Sequence, residues 1–164
     1  MLKIRPFKRN DWSAAWRIIE PVFRLGESYA FSPDITEEEA YRVWIDVPEI
    51  TFVALDSINS VLGTYYIKPN QPALGAHVCN CGYIVAEDAR GRGIASAMCE
   101  HSLKEAVARG FRAMQYNLVV STNESAVHLW KKHGFNIVGT LPNSFRHLQF
   151  GYVDSYVMYQ ELVK

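Results

Sequence analysis

The stretch that most constrains this chain runs from Tyr83-Ile84-Val85 through the turn-rich Glu87 to Gly93. It continues into Ile94, Ala95, Met98, Cys99, Ser102, Leu103 and Ala106, which recur at helical spacing. The order is strand, glycine-rich turn, helix, in which free backbone N–H groups and the helix dipole converge on an anion. Within it, Arg90-Gly91-Arg92-Gly93-Ile94-Ala95 puts glycines where backbone must approach a phosphate, and arginines at the rim where they supply charge. A pyrophosphate fits such a turn; so does an ordinary connection carrying two solvated arginines. The segment lacks the Gly-Lys-Ser/Thr ending of a P-loop, and Ser96 stands where a dinucleotide fingerprint has its third glycine. An RNA-binding reading of Arg-Gly-Arg-Gly is weak, because there is one short copy and 17 basic residues balance 17 acidic ones. That balance leaves no overall field to gather nucleic acid or hold a membrane surface, so partners must be recognised locally.

The flanking sequence supplies the rest of a mixed α/β sheet with helices on both faces. Lys3 to Phe7 reads as a first strand, Asp11 as the cap of a helix through Trp12, Ala15, Trp16 and Ile19, and Pro21 as the point where that helix weakens. Thr36-Glu37-Glu38-Glu39 is a capping-box pattern opening a second helix through Tyr41 and Trp44. Thr51–Leu55 and Val61–Ile67 are β-rich and joined by a hairpin connection, and His77–Val85 forms the strand before the glycine turn. After Gly110 come a strand over Met114–Val120, a helix over Glu124–His133 capped by Asn123, a strand over Asn136–Thr140, a loop over Pro142–Phe150 and a final strand near Tyr152–Glu161.

At 164 residues the chain fits one domain, residues 1–164, and no window approaches a membrane span. The N-terminus Met1-Leu2-Lys3-Ile4-Arg5-Pro6 carries charge where a signal peptide is apolar, so the expected location is the cytoplasm. Cys79, Cys81 and Cys99 are odd in number and suit reduced packing thiols. His77 could join Cys79 and Cys81 on one strand face, but side chains in a flat row make poor tetrahedral geometry, and no metal is expected.

Arg90-x-x-Gly93-x-Ala95 after Tyr83-Ile84-Val85 resembles the Gln/Arg-x-x-Gly-x-Gly/Ala motif of the GNAT N-acetyltransferases. Asn123-Glu124-Ser125-Ala126-Val127-His128-Leu129-Trp130-Lys131-Lys132-His133-Gly134-Phe135 is similar to a second segment of the same family. The resemblance implies a GNAT fold, a mostly antiparallel sheet splayed between its fourth and fifth strands, with acetyl-CoA in the splay. It implies pyrophosphate on Arg90, Gly91, Arg92, Gly93, Ile94 and Ala95, pantetheine along the backbone of Ile84 and Val85, and Asn123 facing the cofactor arm. A narrower similarity, in His77–Tyr83 and Asn117–Asn123, is to fungal acetyltransferases that detoxify azetidine-2-carboxylate. It points to Asn80, Asn117 and Asn123 as site residues; Asn80 and Asn117 would equally serve to satisfy backbone groups where two strands part.

Acetyl transfer to an amine needs a neutral nucleophile, donors for the thioester carbonyl and a proton for the leaving thiolate. Asn80 or Asn117 would orient the amine, and Arg146 and His147 would reach substrate from the Pro142–Phe150 loop. Many members of the family place a tyrosine acid where this chain has Trp130, which cannot protonate a thiolate, so Tyr116, Tyr156 or Tyr159 would have to substitute, or no protein acid is used. An acetyl-cysteine intermediate is disfavoured because neither Cys79 nor Cys81 has an obvious neighbouring base. The expected substrate is a small-molecule amine such as an amino acid, handled by a homodimer that uses the last strand as a free sheet edge. Acetylation of protein N-termini or lysines, and non-catalytic sensing of acyl-CoA, are the alternatives.

Overall fold

The computed structural model describes residues 1–164. The elements run β1 (Lys3–Pro6), α1 (Trp12–Leu25), α2 (Glu37–Tyr41), β2 (Ile50–Leu55), β3 (Val61–Pro69) and β4 (Val78–Val85). They continue with α3 (Ile94–Ala108), β5 (Ala113–Val120), α4 (Glu124–Lys132), β6 (Asn136–His147) and β7 (Gly151–Glu161). The strands form one mixed sheet in the order β1-β2-β3-β4-β5-β7-β6, and β4–β5 is its parallel pair.

Period-two alternation divides the sheet's side chains between two cores. On one face Tyr66 of β3 and Ile84 of β4 pack with Ala15, Ile19 and Phe23 of α1, Ala40 of α2 and Trp44. On the other, Tyr65 and Ile67 of β3 and Cys79 and Cys81 of β4 pack with Met98, Cys99 and Ala106 of α3. The buried Trp44 indole N–H donates to Thr64 Oγ1 at 3.1 Å, and that hydroxyl donates to the Phe52 carbonyl at 2.8 Å, so the polar atoms under α2 are satisfied.

Thr36 and Glu39 form the expected capping box: the Glu39 N–H donates to Thr36 Oγ1 at 3.1 Å and the Thr36 N–H to the Glu39 carboxylate at 2.8 Å. Asp11 does not cap α1. Its carboxylate accepts from the Lys8 N–H at 2.7 Å and pairs with both Arg5 guanidinium nitrogens, tying β1 to the start of α1. Helix α1 also continues past Pro21 to Leu25 and stops at Gly26, whose φ of 62° is left-handed.

Two expectations about the C-terminal third are overturned. The Pro142–Phe150 loop is mostly strand, because β6 pairs with β7 as far as His147↔Gly151 by absorbing irregularities between Ile137 and Gly139 and between Leu141 and Phe145. The last strand is not an edge, because β7 inserts between β5 and β6 and satisfies its ladder on both sides; the edge is β6.

Candidate active site

β4 and β5 pair only at Val78↔Ala113 and Cys79↔Met114 and then part. The Arg112 N–H donates to the His77 carbonyl on the β5 side, and the Ala86 N–H to the Leu62 carbonyl on the β3 side. By strand alternation the peptide groups of Cys81, Tyr83 and Val85 therefore face the gap that β5 vacates. Asn80 sits where the strands separate: its Nδ2 donates to the Gln115 carbonyl at 2.9 Å, and its Oδ1 lies 3.5 Å from the Tyr66 hydroxyl. Its amide thus closes an orphaned backbone acceptor while lining the gap. Tyr29, on the loop after α1, reaches into the same opening; its hydroxyl accepts from the Tyr83 N–H at 2.8 Å and donates to the Tyr83 carbonyl at 2.9 Å.

The gap widens into a cavity of about 1090 Å³ whose other end is the glycine turn. Gly91 and Gly93 adopt φ of 74° and 78°, and a Cβ built on either would meet no protein atom within 4 Å. None of the backbone N–H groups of residues 91–96 has a partner in the protein, and the 15-residue α3 starts there. Free donors, open space and a helix N-terminus match the demands of a pyrophosphate, and Arg90 adds charge at the lining. Asn123 Oδ1 caps α4 by accepting from the Ala126 N–H at 3.3 Å, and Asn123 lines the cavity opposite the turn.

The structure therefore brings Asn80, Val85, Arg90, Gly91, Gly93, Ile94, Ala95, Asn117, Asn123 and His147 to one cavity. Ile84 lies beneath it in the α1 core, and Arg92 and Arg146 are exposed outside its lining. Arg146 and His147 are neighbours on a strand and point to opposite faces, so one cannot follow the other inward. His147 is buried, and its Nδ1 accepts from the Gln149 and Phe150 N–H groups at 3.1 and 3.2 Å, which leaves the ring proton on Nε2. Asn117 is exposed at an irregularity of β5; it donates to Asn70 Oδ1 at 2.6 Å and accepts from Gln115 Nε2 at 3.0 Å.

Trp130 projects from α4 against Tyr83 and Tyr116, each ring centroid 4.9 Å from its own. The Tyr116 and Tyr83 hydroxyls are 2.9 Å apart, and Tyr83 continues to Ser102 Oγ at 2.7 Å. Burial pushes both phenols well above the ordinary tyrosine value, so both hold their protons at neutral pH. Tyr116 lines the cavity; Tyr156 and Tyr159 do not. Burial, with Cys79 beside it, also raises the Cys81 thiol, and burial pushes Cys99 up to about 12, so neither is a ready thiolate.

The model of the Acetyltransferase (GNAT) family matches residues 12–135, which spans the gap, the glycine turn and the Asn123 helix. The chain belongs to the GNAT acetyltransferase family. A GCN5-related N-acetyltransferase from Kribbella flavida is 40% identical, with a TM-score of 0.92 over 98% of this chain and 97% of that one. The N-acetyltransferase aca1 of Schizosaccharomyces pombe is 34% identical over 111 residues, 67% of this chain and 53% of that protein. The chain thus spans about half the length of this curated relative. A phosphinothricin acetyltransferase from Sinorhizobium meliloti in complex with AcCoA shares the fold, with a TM-score of 0.86 at 20% identity over 99% of this chain and 89% of that one. That relative's structure holds AcCoA, and no cluster of metal-ligating side chains accompanies the site in this chain.

Sequence reading gave no site role to Tyr29, Tyr66, Lys68, Tyr83 or Phe150, all of which line the cavity. The alternation of Tyr66 with Tyr65 along β3 carried a signal of which face each would occupy. Nothing local signalled that the loop holding Tyr29 would fold back onto β4.

Proposed function

We propose that this chain, acting as one cytoplasmic domain within a homodimer, transfers the acetyl group of acetyl-CoA to the amine of a small amino acid or analogue. The observation that carries the reading is that the free backbone donors of residues 91–96 open into the same cavity as Asn80, Asn117 and His147. Residues 91–96 and Arg90 hold the pyrophosphate, and the peptide groups of Cys81 and Val85 pair with the pantetheine arm as a missing strand would.

Acetyl-CoA supplies an activated acyl group, held as a thioester. The Val85 N–H, turned to the gap that β5 vacates, is the donor suited to an oxygen that gains negative charge during transfer, because the Tyr83 peptide and the Tyr29 hydroxyl already satisfy each other. Tyr116 Oη, protonated and beside Trp130, provides the proton that the indole cannot. Asn80 and Asn117 orient the amine, and direct transfer needs no acetyl-cysteine. The Leu148 N–H meets the Gly26 carbonyl at 3.4 Å, so the loop after α1 and the β6–β7 tip approach each other over the acceptor end. That closure favours a small acceptor over a protein.

The test is thiol release from acetyl-CoA across amino acids, simple amines and peptides, run beside thermal shift with acetyl-CoA. Turnover of free amino acids is expected. Stabilisation by acetyl-CoA without any turnover would favour a sensor, and turnover confined to peptides would favour protein acetylation.

A further inference from the structure

The end of α4 meets the start of α3. His133, which closes α4, places its Nε2 2.7 Å from Ser96 Oγ in the first turn of α3. Ser96 lines the cavity, and its own N–H is among the unpartnered donors of the glycine turn. This serine, which breaks a dinucleotide fingerprint, adds a hydroxyl where those backbone donors converge. His133 stands behind it, half-buried and outside the lining.

A serine hydroxyl has one proton, and the imidazole decides where it points. A bare Nε2 takes that proton, and the oxygen then turns only lone pairs to the cavity, which an anion avoids. A protonated Nε2 donates to Ser96 Oγ instead and frees the hydroxyl proton for a phosphate oxygen. The imidazolium fixes this second arrangement and adds positive charge one hydrogen bond behind the ligand. Its setting suits a cation: the His133 N–H donates to the Leu129 and Trp130 carbonyls at 3.1 Å each, so the ring stands at the carbonyl end of α4. The N-terminus of α3, itself positive, opposes that charge until a pyrophosphate neutralises it.

No carboxylate forms an ion pair with His133. On α4 its charged or titratable neighbours are Lys131, Lys132 and His128; the glycine turn carries Arg92, and α3 carries Glu100 one turn beyond Ser96. All five are exposed, where solvent and salt screen them. After Gly134 come the neutral Phe135 and Asn136, and β7 brings the neutral Gln160 against Gly134. The charge that changes most at this place is therefore the ligand's own.

We propose that His133 is a positioning residue for the cofactor's diphosphate: it takes up a proton as acetyl-CoA binds and, through Ser96, turns a hydroxyl donor onto the pyrophosphate. The inference rests on the placement of the pyrophosphate at residues 91–96. One proton passes from solvent to His133 and returns when coenzyme A leaves. Affinity is greatest at pH values where the free protein already holds that proton, and it falls as pH rises past the point where the bound protein gives it up.

Titration calorimetry with acetyl-CoA from about pH 6 to about pH 8.5, spanning the range in which histidines change charge, gives Kd, and buffers of different ionisation enthalpy count the proton. 3′-Dephospho-coenzyme A repeats the measurement without the ligand's own titrating phosphate. The wild type is expected to take up part of a proton near neutral pH and to bind about tenfold tighter at the acidic end, the gain of a charge-assisted over a neutral hydrogen bond. His133→Gln keeps an N–H for Ser96 but cannot titrate, so it should take up no proton and bind equally across the range. Ser96→Ala should also flatten the dependence, and Ser96→Thr should keep it. Melting curves without ligand confirm that each variant is folded. Equal proton uptake in the wild type and His133→Gln, or full pH dependence in Ser96→Ala, overturns the proposal. Wild-type binding at one affinity across the range overturns it too while leaving the cofactor site in place, whereas no binding at any pH brings down the pyrophosphate placement itself.

Discussion

At the scale of single residues the site depends on groups whose form is dictated by one physical demand each. Gly93 caps α3 at φ 78°, where an L side chain costs about 1–2 kcal/mol and where a Cβ would project into open space over the free N–H groups. Gly93→Val is expected to raise the acetyl-CoA Kd at least tenfold by titration calorimetry, with a modest fall in Tm; an unchanged Kd in a folded variant would remove the turn from the cofactor site. Tyr116 is the second such residue. Tyr116→Phe deletes one hydroxyl from a chain whose Tyr83–Ser102 link survives, so the fold should hold. We expect kcat to fall about 100-fold, as for loss of a general acid, with KM for acetyl-CoA unchanged. Full kcat in that variant would mean that the thiolate leaves without it.

At the scale of elements, the parting of β4 from β5 creates the gap, and Asn80 secures the point of separation. Asn80→Ala strands the Gln115 carbonyl, so it should lower stability by about 1 kcal/mol as well as lowering kcat/KM. Asn117→Ala, on an exposed irregularity, should lower kcat/KM while leaving the melting curve in place. Equal melting shifts in the two variants would contradict this division. The β1–α1 junction makes a separate prediction. The hydrogen bonds from Arg5 hold the Asp11 carboxyl below the usual range, burial notwithstanding, so the unfolded chain takes up this proton first as pH falls. The stabilisation is complete above the unfolded value near about 3.9 and is lost as pH drops through the lower folded value. Urea midpoints measured from pH 6 to pH 3 should therefore fall less steeply for Asp11→Asn than for the wild type, and parallel curves would show that the pair contributes nothing.

At the scale of the whole molecule, exposed apolar side chains occur along the β6–β7 ribbon: Val138 and Leu141 on β6 and Tyr152 on β7 stand in water at 61%, 44% and 69% exposure. Such a surface on an edge ribbon suits a second copy, and light scattering at micromolar concentration should report a dimer that Val138→Lys with Tyr152→Lys converts to monomer. A monomeric wild type would end that expectation. The sequence by itself determined the features that depend on neighbouring residues: the glycine turn entering α3, the Thr36 capping box, the Asn123 cap and the alternation that assigns Tyr65 and Tyr66 to opposite cores. These are visible in sequence because positive φ, capping and period-two burial are settled within a few positions. Only the tertiary structure decided which strand became the edge, that Arg5 claims Asp11, that Tyr29 bonds the Tyr83 backbone from 54 residues away, and that His133 meets Ser96. Those contacts join segments distant along the chain, and they form because the sheet must satisfy its peptide groups and both cores must close at once, conditions that no local window contains.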